Sequence, residues 1–242
     1  MTESDFFIEY RERAAALLRR AGLSLEWGED FEHYKAIVAA ATDRFDVAPG
    51  FDPQRARGPL DAIWLVARDG RGQVVHTQAT RRVSIAPDMQ NHLAHDLDIY
   101  EPAYWRFRME RLTLSLTSQA RAIAGACVYH GEFWIKGGPS GVRGRSAMPL
   151  FSRIMLAAAL ERFDAGHFYG FMTPVNCLRG LPQKMCYTRC EQGSIRFDEP
   201  DGRDPIELWM TWMTREEARH SLDVDPATFV RLLEREDVAQ VA

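Results

Sequence analysis

The chain has 242 residues, 46% of them hydrophobic and 26% charged, with a formal charge of −4; it is long enough to bury a sizeable core and excludes a disordered or collagen-like class. The mild negative charge argues against a general nucleic-acid binder, which carries a strongly basic face. The opening stretch MTESDFFIEYRERAAALLRR has acidic residues first and no uninterrupted apolar run, and no later segment approaches a membrane span; neither a signal peptide nor a membrane partner is expected, and the expected location is the cytoplasm.

Residues 4 to 21 place Phe7, Ala14, Leu17 and Leu18 among arginines and glutamates, with Gly22 where a helix C-cap is expected; the spacing predicts a surface helix. A second helix is predicted from Phe31 to Phe45, followed by the Pro- and Gly-containing loop VAPGFDPQRARGP. In AIWLVARDGRGQVVHTQATRRVSI two β-rich runs flank Asp69-Gly70-Arg71-Gly72, the strongest hairpin signal in the chain. A short helix is predicted around Gln90 to Leu97, ahead of Tyr100, Tyr104 and Trp105. Leu112, Leu114 and Leu116 then alternate with Thr113, Ser115 and Thr117, as in a short strand.

CVYHGEFWIK reads as a strand interrupted by Gly131, where a bulge or a close backbone approach is expected. Leu150, Phe151, Ile154, Met155 and Ala158 share one face of an amphipathic helix that packs on a sheet, and Gly166 closes that segment. HFYGFMT is the next strand, Pro182 opens a short helix to about Cys190, and SIRF and IELWMTWMT form a final strand pair. Thr214 and Glu217 fit a capping box, and Asp225-Pro226 begins a last helix. This order implies a single domain over 1–242 of α/β (α+β) class, with a mixed, largely antiparallel central sheet flanked by helices. Its parts are an N-terminal helical part at 1–59, a core at 60–214 and C-terminal helices at 215–242.

The four cysteines, Cys127, Cys177, Cys186 and Cys190, lack a C-x-x-C spacing and read as reduced packing residues. Cys186 and Cys190 with a histidine such as His167 offer only a lone C-x-x-x-C, and no metal is expected.

The stretch GGPSGVRGRS, Gly137 to Ser146, lies between the aromatic strand and the apolar helix. As a nucleotide P-loop it would put Pro139 where the first glycine belongs and Arg145 where the lysine belongs, and HFYGFMT ends in no aspartate for Mg²⁺. As a diphosphate loop it would offer consecutive backbone N–H groups and a helix dipole. As a plain strand–helix connection its glycines and serine need no ligand, and its arginines face solvent.

Arg143-Gly144-Arg145-Ser146, or the register Gly141-Val142-Arg143-Gly144-Arg145-Ser146, resembles the acyl-CoA loop of the GCN5-related N-acetyltransferase superfamily. The upstream hairpin, the strands on either side and the terminal IELWMTWMT extend the resemblance over residues 60 to 214. It implies direct acyl transfer from acetyl-CoA or another acyl-CoA to a small-molecule or peptide amine, without a metal. Gly141, Val142, Arg143, Gly144, Arg145 and Ser146 would hold the diphosphate. Phe133, Trp134 and Ile135 would offer main-chain groups to the pantetheine arm. The base would fall on Glu132, with His130 in reserve, and the acid on Tyr187. A homodimer is compatible with this reading. Two alternatives stay open: a non-catalytic member that binds acyl-CoA or a protein, and an enzyme like the acyl-homoserine-lactone synthases, whose Glu-Ser-Arg motif Met109-Glu110-Arg111-Leu112 distantly resembles. The leading reading requires a gap between neighbouring strands beside the buried helix.

Overall fold

The computed structural model describes residues 2–41, 46–56, 59–96, 100, 111–137, 147–198 and 204–230. Helix α1, Glu3–Arg20, starts at a capping box in which the Thr2 hydroxyl accepts from the Asp5 N–H and the Asp5 carboxylate accepts from the Thr2 N–H; it ends before Gly22, whose φ of +84° suits a residue without Cβ. Strand β1, Ser24–Gly28, follows, so the N-terminal part is not wholly helical as the sequence suggested. Helix α2, Phe31–Ala40, is capped by the Asp30 carboxylate and stops earlier than expected because Ala41 takes extended backbone; residues 42–45 lie outside the described residues.

A 3-10 turn at Pro49–Phe51 leads to the predicted hairpin, β2 Ala62–Arg68 and β3 Val74–Ile85. The Asp69 carboxylate accepts from the N–H groups of Arg71 and Gln73, both at 2.9 Å, and closes the turn. Helix α3 is Met89–Asp96, β4 is Leu112–Leu114 and α4 is Ser118–Arg121. Then come β5 Gly125–Ile135, α5 Met148–Arg162 and β6 His167–Met172. Helix α6 is Pro174–Leu178. The helix predicted from Pro182 to about Cys190 is instead the one-turn α7, Leu181–Lys184, and the start of a strand, β7 Arg189–Phe197. Cys186 at φ +72° ends the helical geometry, and Tyr187 turns back to donate its N–H to the Pro182 carbonyl at 2.9 Å. Strand β8, Ile206–Thr214, and α8, Arg215–His220, complete the elements, with residues 226–230 helical.

Among the described residues eight strands form one sheet in the order β1-β2-β3-β5-β6-β8-β7-β4. Every neighbouring pair is antiparallel except β5 and β6. The mixed, largely antiparallel class expected from the sequence is the one observed. One face carries α1, α5 and α8 over a core that includes Phe7, Leu65, Val128, Phe151 and Phe168. The other carries α2 and α3 over Tyr34, Phe51, Trp64, Leu93 and Tyr169. Helix α5 is less amphipathic than its pattern suggests: Ser152, Arg153, Leu156 and Ala157 are buried along with Leu150, Phe151, Ile154 and Met155, whereas Ala158 of the predicted face is only part-buried. With the sheet on one side and α1 and α8 on the other, little of it meets solvent.

The capping box of α8 forms as predicted, with Thr214 and Glu217 bonded reciprocally. Burial works to raise the Glu217 carboxyl, but the Arg189 guanidinium at 2.5 Å and the Thr214 N–H at 2.8 Å hold it at about 2. A carboxyl lowered in the folded state stabilises it above the ordinary value of 4.5 and loses that contribution as pH falls toward 2. Thermal midpoints measured from neutral to acid pH are expected to fall across this window more steeply in the wild type than in Glu217→Gln.

Candidate functional site

Strands β5 and β6 pair only at Cys127↔His167, Val128↔Phe168 and Tyr129↔Tyr169; β5 then runs on to Ile135 and β6 to Met172 without pairing to each other. The parting begins at a bulge. On its other side β5 pairs with β3 at Ala79↔Gly131 and next at Thr77↔Trp134, so the register slips around Glu132. A Cβ at Gly131 would stand 2.7 Å from the Phe51 ring and 2.9 Å from the Tyr129 ring, which is why only glycine fits. Glu132 pays for the turn with φ of +56°, in the left-handed region that disfavours residues with a Cβ. The Thr77 hydroxyl donates to its carbonyl at 3.1 Å and braces the bulge.

The strands thus enclose a cavity of about 280 Å³ lined by Tyr129, His130, Glu132, Gly170, Asn176 and Tyr187, among others. The sequence-predicted pair is brought to this one cavity from opposite sides of the sheet. Glu132 belongs to the α2 side, where its Oε1 accepts from the Ala48 N–H at 2.9 Å and its Oε2 from the Tyr34 hydroxyl at 3.3 Å. Tyr187 belongs to the α5 side and is 4% exposed. Burial pushes its phenol well above the ordinary value of 10.0, so it stays protonated. A Cβ at Gly170 would stand 2.8 Å from the His130 carbonyl oxygen and 3.1 Å from the Tyr187 hydroxyl, so this glycine makes the room at the fork of the strands. His130 also faces the α5 side, its Nε2 3.1 Å from Gln78 Oε1, and burial lowers its imidazole to about 4.

A second cavity of about 270 Å³ shares Phe133, Asn176 and Leu181 with the first and continues along β5 past Trp134 and Ile135 to Met148 at the start of α5. Together they make one trough from the fork to the first turn of that helix. Ile135 is buried, and the Trp134 carbonyl already accepts from His76 Nδ1 at 2.7 Å. Gly141, Val142, Arg143, Gly144, Arg145 and Ser146 lie outside the described residues, as do Met109 and Glu110. Where description resumes, the N-cap residue Ala147 gives no side-chain acceptor to the first-turn N–H groups of α5.

Sequence reasoning missed Arg179 and Lys184, the two cations that line the trough from α6 and α7, because a short basic run such as LRGLPQK usually means a solvated turn. It also missed Gln78, although His76, Gln78 and Thr80 form a period-two polar row in a strand that should turn apolar groups to its helix. Among the described residues there is no cluster of three or more His, Cys, Asp or Glu that could hold a metal ion, and no helix long and apolar enough to cross a membrane.

No protein-family model matches the chain, and no curated protein matches it in sequence. Solved structures that resemble it include NAA60 of Arabidopsis thaliana in complex with acetyl-CoA, at 12% identity and a TM-score of 0.44 over 79% of this chain and 98% of that one. A spermidine N-acetyltransferase from Vibrio cholerae gives 8% identity and a TM-score of 0.43 over 81% and 96%. An N-acetyltransferase from Staphylococcus aureus Mu50 gives 6% and 0.41 over 80% and 98%. These identities and TM-scores are low, and the functional reading rests on the cleft.

Proposed function

We propose that the protein is an acyl-CoA-dependent N-acyltransferase that passes an acetyl or other acyl group directly to an amine. The observation that supports this best is the parting of β5 from β6, which opens a cleft with the Tyr187 hydroxyl on one side of the sheet and the Glu132 carboxylate on the other. The acyl donor occupies the trough on the α5 side, its diphosphate toward the glycine loop and the start of α5, within reach of the Arg179 and Lys184 cations. The amine approaches from the α2 side.

In this reading Glu132 receives a proton from the amine as the new C–N bond forms. Tyr187 gives its phenolic proton to the departing sulfur as the C–S bond breaks. Both groups then exchange protons with solvent. The bonds from Ala48 and Tyr34 hold the carboxylate in the cleft wall, and in this reading the amine is a further donor to it. The held conformation of Glu132 fixes where those sites point, and strain at such a residue is characteristic of functional positions.

The engagement of both Glu132 oxygens also favours a second reading, a non-catalytic acyl-CoA binder. The two separate by incubation with acetyl-CoA and a mixed panel of amines: release of free thiol above background supports the transferase, and CoA binding without turnover supports the binder. For the loop, Arg143→Glu combined with Arg145→Glu is expected to weaken CoA binding by roughly a hundredfold or more in calorimetry, since each charge-assisted contact contributes about 1.5–3 kcal/mol. Unchanged affinity would remove the loop from the donor site.

A further inference from the structure

Gln78 is fully buried in β3, and its two amide atoms have different partners. Its Nε2 donates to the Phe151 carbonyl in α5 at 2.7 Å, which leaves Oε1 to face His130 Nε2 at 3.1 Å. An amide oxygen has no proton to give, so the proton of that second bond sits on His130 Nε2. The imidazole is neutral because burial lowers its pKa, and its Nδ1 therefore carries a lone pair. Among the described residues that nitrogen has no hydrogen-bond partner, although the residue lines the cleft with Tyr187, ring centroids 6.5 Å apart. An acceptor fixed in a cavity wall with nothing to accept from is a site for a ligand N–H.

The side of the sheet decides which N–H. His130 lies on the α5 side with Tyr187 and the trough, away from Glu132 and the amine. An acyl-CoA arm in that trough carries secondary amides, each with one N–H and no charge, which suits a neutral nitrogen acceptor. We propose that His130 is a donor-recognition residue whose Nδ1 accepts from an amide N–H of the acyl donor's arm, with Gln78 as the positioning residue that fixes the tautomer. This rests on the acyltransfer reading. The Gln78–Phe151 bond also ties this acceptor to α5, so the point that grips the arm and the helix that faces the diphosphate are held as one unit.

The experiment compares two small acetyl donors of the same shape, S-acetyl-N-acetylcysteamine, which has an amide N–H, and its ester isostere 2-(acetylthio)ethyl acetate, which has none. The ratio of their kcat/KM values is independent of the folded fraction. The wild type is expected to prefer the amide by about fivefold to tenfold, as a net hydrogen bond of about 1 kcal/mol gives. His130→Leu is expected to bring the ratio close to one, and His130→Gln, which restores an acceptor, to recover part of it. Gln78→Leu, which frees the ring to change tautomer, is expected to lower the preference with His130 still present. An amide preference that persists in His130→Leu, or its absence in the wild type, overturns the assignment. No turnover of acetyl-CoA with any amine overturns the acyltransfer reading itself, and this inference with it. Should both leucine variants fail to fold, imidazole ¹⁵N NMR of the wild type decides: Nδ1 unprotonated and shifted by the amide donor but not by the ester supports the proposal, and a protonated or unresponsive Nδ1 refutes it.

Discussion

Replacing Tyr187 by phenylalanine is expected to lower kcat for acyl transfer by about a hundred- to ten-thousandfold, the range general acid catalysis supplies, with little change in donor KM. The thermal midpoint should barely move, because among the described residues the phenolic hydroxyl has no hydrogen-bond partner for the fold to lose and the ring's packing is retained. The pH profile adds a second check. Burial disfavours the phenolate, so the protonated form persists past the ordinary tyrosine value of 10.0, and the wild-type rate should show no loss attributable to this group up to that pH. A Tyr187→Phe enzyme at full speed would remove the acid from the mechanism and leave the sulfur to depart as thiolate.

Glu132→Gln is the second large effect, a fall in kcat of about a hundred- to ten-thousandfold. The amide keeps an oxygen for the Ala48 N–H, and its nitrogen can donate to the Tyr34 hydroxyl, so stability should stay within about 1 kcal/mol of the wild type. Thiol release measured against the unfolding midpoint separates a lost base from a lost fold. Glu132→Gly sharpens the comparison. It relieves the positive φ but removes the acceptor of the part-buried Ala48 N–H, at about 1–3 kcal/mol. Should Glu132→Gln keep most of the rate while the glycine variant unfolds, the carboxylate is a brace for the Ala48 segment and not the base.

Much of the frame was legible because local chemistry and tertiary structure agree there. Asp69 and Gly72 make the hairpin turn whatever surrounds them, and Thr214 with Glu217 closes its capping box through neighbouring atoms. Gly131 announced the bulge, since a glycine in an aromatic strand is otherwise a loss of packing. What escaped depended on distant partners. β1 is five residues with a charged and a half-exposed aromatic side chain, and only its pairing to β2 makes it a strand. The start of β7, Arg-Cys-Glu-Gln-Gly, lacks strand alternation because Glu191 turns inward to accept from Trp212 Nε1 at 2.9 Å and from the Thr117 N–H at 3.1 Å. The same limit applies to the cleft. Glu132 and Tyr187 could be named as single residues, but that they stand on opposite sides of one sheet follows from where β6 and α7 lie, and the lone pair of His130 depends on a carbonyl in α5.

The far edge of the sheet bears on how this chain is made. β1, β2, β3 and β5 are neighbours in space, and all four have been synthesised by residue 135. β4 comes earlier in the chain than β5, yet its pairing to Phe197, Arg196 and Ile195 must wait until β7 leaves the ribosome. The nascent protein can therefore pair β1, β2, β3 and β5 while β4 still lacks its partner, and the β4–β7 ladder joins two segments made at widely separated times.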